Sequence, residues 1–247
     1  MSGFQHSDNP FQPAKVERLT PRTIATRAKL VAVAERLFAE RGIEGVSLNE
    51  INKLAGQRNS NACQYHFGNK EGLLQAIVDK HVPGIAARRN ERLDRLEARG
   101  RASLRDVIRA FVYPVAEKLF DPNGGKEFIR VNAQLVVPHT LAQQHPAGMP
   151  LIVPGLERLT RALRSVLAEL NLPEAVISQR LLLAAMLLFH GLADHSRMLD
   201  LMGRGNPVFD TELFVNNLED SIVALLSAPL SDATRERLGV LSTSDNA

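Results

Sequence analysis

Apolar residues along this chain recur mostly at helical spacing. Leu30, Ala34, Leu37 and Phe38 fall at i, i+4, i+7 and i+8, one face of a helix that Pro21 can open and Gly42 can close. Ser47-Leu48-Asn49-Glu50 has the form of a capping box. It predicts a short helix to about Ala55, with Leu48, Ile51, Leu54 and Ala55 facing the core and Gly56 ending it. A second short helix is expected over residues 59–66, closed by Phe67-Gly68. Asn69 can then cap a long helix from Lys70 that passes Leu73, Leu74, Ile77 and Val78, bends near Pro83-Gly84 and stops at Gly100. Further helices are expected at about 103–120, 126–136, 154–170, 174–202 and 210–227. Proline- and glycine-marked loops separate them, including one that runs from Pro138 to Pro154. No segment sustains strand alternation. The expected fold is all-α: an N-terminal three-helix unit on a longer helical body.

The ends read differently. Residues 1–20 are polar, proline-punctuated and aperiodic, as a flexible arm would be. Their Lys15 and Arg18, with Arg22 just beyond, leave open either a solvated tail or a minor-groove contact. Residues 229–247 are polar and are expected to fray. The division that follows is an arm over 1–20, a head over 21–82, a body over 83–228 and a tail over 229–247.

With 247 residues, 45% of them hydrophobic, the chain can bury a sizeable core. Its charge is uneven. Residues 1–100 carry 16 Lys/Arg against 11 Asp/Glu, and the remainder 14 against 16. A basic front half suits contact with phosphate, although ordinary surface charge gives the same sum. The single cysteine, Cys63, rules out an internal disulfide. The longest apolar run, from Leu181 to Phe189, is too short to span a bilayer, and the N-terminus lacks a signal-peptide pattern. These features lead to the expectation of a cytoplasmic protein with no membrane partner.

The chemistry concentrates in residues 47–70. Two short helices joined by a tight turn form a unit that can place its second helix in a major groove. That second helix offers Arg58, Asn59, Ser60, Asn61, Gln64, Tyr65 and His66. Arg can bond bidentately to guanine, and Asn or Gln to adenine. A merely solvated helix would need neither this density of amides and hydroxyls nor so tight a placement between two amphipathic helices.

Residues 24–80 resemble the TetR family of bacterial transcriptional regulators. The likeness lies in the amphipathic helix ending at Gly42, the Ser47 box with Ile51 and Ala55-Gly56, and Tyr65-His66-Phe67 followed by Asn69-Lys70-Glu71 and Leu73-Leu74. The resemblance implies that Ser47 caps its helix and meets phosphate, that Tyr65 and His66 lie by the DNA backbone, and that Lys70 binds phosphate at a helix start. It also implies base readout from Arg58, Asn59, Ser60, Asn61 and Gln64. This chain departs from the family in the turn: it holds one residue more than the commoner spacing between Ala55-Gly56 and Phe67, and Gln57 stands where an apolar residue is usual.

For the body, the resemblance implies a homodimer with a small-molecule cavity in each protomer. The residues themselves support pairing: Leu181 to Phe189 is apolar all round, and Leu213, Phe214, Leu218, Ile222, Leu225 and Leu226 form a second apolar stripe, so two copies could make a four-helix bundle. Candidate cavity residues are Phe111, Val115, Phe128, Asn132, Leu135, Phe189, His190 and Asp194, each of which packing alone could explain. His190 and Asp194 share a helix face but His195 is rotated off it, poor geometry for a metal. No nucleophile, phosphate-loop or zinc-protease pattern is present, so neither an enzyme nor a cofactor is expected. The expected function is a sequence-specific regulator of double-stranded DNA with a near-palindromic operator, a repressor released by a small, largely apolar effector. A body used only for dimerisation or protein contacts is the alternative, and a filled core would mark it.

Overall fold

The computed structural model describes residues 20–144, 151–202 and 210–244, and among them it contains helices and turns but no strand. Residues 1–19, 145–150, 203–209 and 245–247, on which the expected arm and parts of two expected loops fall, lie outside the described residues.

The head consists of α1 (Pro21–Arg41), α2 (Leu48–Leu54) and α3 (Ala62–Phe67), closed by the first turns of α4 (Lys70–Ala98). Thr20 caps α1, its hydroxyl accepting from Thr23 N–H, with Pro21 in the first turn where no intrahelical donor is needed. Ser47 Oγ accepts from Glu50 N–H (3.2 Å), and Asn69 Oδ1 from Gly72 N–H (2.8 Å). Leu30, Leu37, Phe38, Ile51, Leu73 and Ile77 meet as the head's core. Leu54, expected in that core, is half exposed, because α2 is only two turns long and turns that residue outward.

The body adds α5 (Leu104–Ala116), a short 3-10 turn (Glu117–Phe120), α6 (Gly125–Gln144), α7 (Leu156–Ala168), α8 (Glu174–Met202), α9 (Thr211–Ser227) and α10 (Asp232–Ser244). The backbone of α6 runs eight residues past the expected stop at 136, continuing through Pro138. A helix also stands where a frayed tail is expected: Ser231 Oγ accepts from Thr234 N–H (3.3 Å) and Asp232 pairs with Arg235 (2.8 Å), so local capping builds α10 without a strong apolar stripe. α4 runs unbroken through Pro83, so the division expected near residue 82 falls inside one helix. The buried apolar residues of head and body form one continuous cluster.

α8 packs on α6 and α9. By length and composition it could also cross a membrane: its most apolar 18-residue stretch has a mean hydropathy of 1.6, because the helix extends well beyond the Leu181 to Phe189 run. Only 28% of that stretch is buried within the protomer. Leu183, Met198 and Leu201 on α8 and Leu213 on α9 are exposed.

Ion pairs fasten the layers. Glu219 on α9 is buried and receives Arg105 (2.6 Å) and Arg109 (3.1 Å) from α5. Asp200 on α8, nearer the surface, receives Lys126 and Arg130 from α6.

Candidate nucleic-acid interface and effector cavity

The turn between α2 and α3 is built around Asn52, a buried residue outside the expected site. Its Nδ2 donates to Ser60 O, and its Oδ1 accepts from Cys63 N–H (2.9 Å). One side chain therefore fixes both the turn and the start of α3. Asn59 Oδ1 accepts from Asn61 N–H (2.9 Å), which folds that stretch as an Asx-type turn. The helix consequently begins at Ala62, three residues later than expected. Arg58, Asn59, Ser60 and Asn61 lie on the turn before α3; Gln64, Tyr65 and His66 lie on the helix itself. The only sequence signal for Asn52 is an amide next to Ile51 on a two-turn helix, easily taken for a solvated position.

Arg58, Asn59, Ser60, Asn61, Gln64 and Tyr65 are all exposed, with Tyr65 at 79% of its full area. Ala62 and Cys63 are buried and anchor α3 from beneath. Burial pushes the Cys63 thiol up to about 11, which keeps it protonated and inert at neutral pH. His66 is held below the usual histidine range, first by burial and then by the nearby Arg27 charge, so its ring is neutral at physiological pH. Arg27 itself lies over the Phe67 ring (4.4 Å to its centre) and donates to His66 O, tying α1 to the end of α3. Ser47 is exposed at the start of α2, and Lys70 is half-buried at the start of α4, its Nζ donating to Ile43 O (2.9 Å). Six of the nine expected DNA residues are thus exposed on the turn and on α3, Ser47 is exposed just before α2, and His66 and Lys70 are partly covered.

A cavity of about 220 Å³ opens in the body among α4, α5, α6, α8 and residues 151–156. Phe111, Val115, Phe128, Asn132, Leu135 and Phe189, six of the eight candidates, line it. His190 and Asp194 do not: both are exposed, and Asp194 pairs with Arg197 at the surface. The helix phase explains the difference, since Phe189 and Ala185 are one turn apart on the α8 face that meets the cavity, and the next residue, His190, turns away. His195 is buried, stacks on Phe214 (4.2 Å) and lies 3.0 Å from Thr211 Oγ1. Among the described residues no group of three ligating side chains could hold a metal. Arg89 lines the cavity as well, unanticipated by the sequence, where it sits in a run of alternating charges.

Two contacts join this cavity to the head. Phe128 stacks on His81 (4.5 Å), whose Nε2 lies 2.6 Å from Glu35 Oε1 on α1; Lys80 Nζ holds the other oxygen of Glu35 at 2.6 Å. Gly124 sits so close that a Cβ there would come within 2.1 Å of Glu35 Oε2, and its φ of +87° also suits glycine. Beside Leu135, Gln134 Oε1 accepts from Ile43 N–H (2.9 Å) while its Nε2 donates to Phe38 O (3.0 Å). α6 therefore grips the end of α1.

Residues 30–77 match the model of the bacterial regulatory proteins of the tetR family. The chain is 36% identical over 87 residues to the HTH-type transcriptional regulator ArpR of Pseudomonas putida, covering 34% of this chain and 41% of that protein. It is 39% identical over 64 residues to a second HTH-type transcriptional regulator of Pseudomonas putida, TtgR, covering 26% of this chain and 30% of that one. The chain thus spans less than half the length of these curated relatives. Among solved structures it is similar to the TetR-family regulator PfmR of Thermus thermophilus, with 18% identity, 86% of this chain and 98% of that chain covered, and a TM-score of 0.43.

Proposed function

We propose that this chain, whose residues 30–77 match the tetR-family model, is a homodimeric, cytoplasmic repressor that leaves its operator when a small, largely apolar effector enters the body. It binds rather than catalyses. The observation that carries this reading is the shared wall: α4 and α6 line the cavity and also hold the head, through His81 to Glu35 and through Gln134 to Phe38 and Ile43. A body used only for dimerisation has no need of an open apolar cavity on those two helices.

In this reading the turn residues Arg58 to Asn61, with Gln64, meet base edges, and Ser47, Tyr65, His66 and Lys70 meet the phosphate backbone. The exposed apolar faces of α8 and α9 supply the dimer interface, which sets two heads on successive turns of a near-palindrome. An effector that binds better to a splayed arrangement of α4 and α6 shifts the population away from the DNA-competent one.

The test is footprinting of the purified protein on its own promoter region at fixed salt. A protected near-palindrome, weakened by Arg58→Ala, supports the reading. Protection and sequence preference untouched by that substitution remove the turn from base readout, and salt-steep binding without any preferred site removes sequence specificity altogether.

A further inference from the structure

Arg89 is the ionisable side chain on the cavity wall among the described residues. It follows Val78, Val82 and Ile85 along one face of α4 and is only 5% exposed. Its neighbours Arg88 and Arg92 turn outward to Glu117. Arg89 makes no ion pair or hydrogen bond among the described residues, and its Nε is fully buried without a partner. The other polar side chain on the wall, Asn132, commits its amide to Phe128 O (2.9 Å). Burial without a counter-charge pulls the Arg89 pKa down to about 10, so the guanidinium still carries its charge at neutral pH.

A buried, unpaired cation is costly, and a guanidinium cannot escape the cost by losing its proton. An anion entering the cavity removes it. The planar fork of five donors fits a carboxylate, and the walls around it are aliphatic and aromatic. At about 220 Å³ the space is smaller than the usual range of roughly 300–1,000 Å³ for ligand sites, which restricts the body of the ligand to one ring or a short chain.

We propose that the effector is an amphiphilic monocarboxylate whose carboxylate pairs with Arg89 and whose apolar part lies against Phe111, Phe128 and Phe189. This rests on the reading of the cavity as an effector site and narrows it by charge.

The test is calorimetric titration of the full chain with benzoate and octanoate, each beside its neutral amide, for the native protein, Arg89→Lys and Arg89→Met. At least one acid should bind native protein about tenfold to hundredfold more tightly than its amide. Arg89→Met should abolish that preference, and Arg89→Lys should keep part of it. Without ligand, Arg89→Met should melt a few degrees higher, because it removes a stranded charge. Equal binding of acid and amide by native protein, a preference that survives Arg89→Met, or no binding of either acid at millimolar concentration would overturn the proposal. So would a lower melting temperature for Arg89→Met, which would mean that Arg89 is already satisfied within the protein. DNA release is read separately. An acid that binds as described but leaves DNA in place sinks the gating reading and keeps this one; an amide that releases DNA as well as its acid does the reverse.

Discussion

Two buried ionisable side chains of this molecule are treated in opposite ways. Glu35, at the junction of head and body, has Lys80 on one oxygen and His81 on the other, with Gly124 pressed against it. Arg89, two turns along the same helix from His81, is 5% exposed and has no ion pair or hydrogen bond among the described residues. A buried charge that is fully met holds parts together. On the proposed reading, the one left unmet takes its partner from the cavity beside it.

The sharpest way to break this comparison is Glu35→Gln. Removing one member of a satisfied buried pair should cost about 3–5 kcal/mol, read as a lower urea midpoint with unchanged slope. A loss no larger than that of a surface carboxylate would put Glu35 on a level with the rim. Arg89→Met should act with the opposite sign, raising the urea midpoint in the same assay. If both substitutions destabilise, the contrast between the two charges is gone. Gln134→Ala tests the second link between body and head. It leaves Ile43 N–H without its acceptor, at about 1–3 kcal/mol, and it should make DNA affinity less responsive to whatever ligand binds. Full retention of that response would place the coupling in the Glu35 contact alone.

Cys63 supplies a smaller, pH-dependent test within the head. Its thiol is raised to about 11, whereas an unfolded chain loses that proton at about 8.5. Between those values the folded state binds more protons than the unfolded one, so stability falls as pH rises through the window. Cys63→Ala should flatten that part of the profile of urea midpoint against pH; an unchanged profile would assign the slope to other groups. The smallest effect is expected from Arg41→Ala. The Arg41–Glu50 pair is bidentate (2.6 and 2.9 Å), but Arg41 is 46% exposed, and solvent screens such pairs, so the urea midpoint should barely move.

Much of the fold is legible because it is written in local signals. Ser47 and Asn69 accept the capping bonds that short polar residues before apolar periodic runs imply, and α8 spans the expected residues. The exceptions have physical causes. The start of α3 differs from expectation because Asn59 and Asn52 hold the preceding residues as a turn, and a side-chain bond between distant positions has no periodic trace. The backbone of α6 outruns Pro138, although a proline there removes one intrahelical donor. α10 escapes a reading by periodicity because capping and charge pairing build it with little apolar pattern. In the cavity, large apolar residues at helical spacing point to the wall positions, whereas His190 and Asp194 carry suitable chemistry but fall on the wrong side of α8. Arg89 is hidden by its neighbours: in a stretch with Arg88, Arg92 and Arg95, nothing local tells which arginine faces inward.

α4 carries the head's anchor and the cavity's charge on one continuous rod. His81 and Arg89 are eight residues apart, about 12 Å at 1.5 Å per residue. Mutation can therefore treat them as separate dials. On the proposed reading, a change of codon at position 89 would alter the polarity of what the cavity accepts without touching the residues that seat the head. For descendants of this gene, or for an engineer building a sensor from it, a new chemical signal would then lie one substitution away while the DNA address stayed the same.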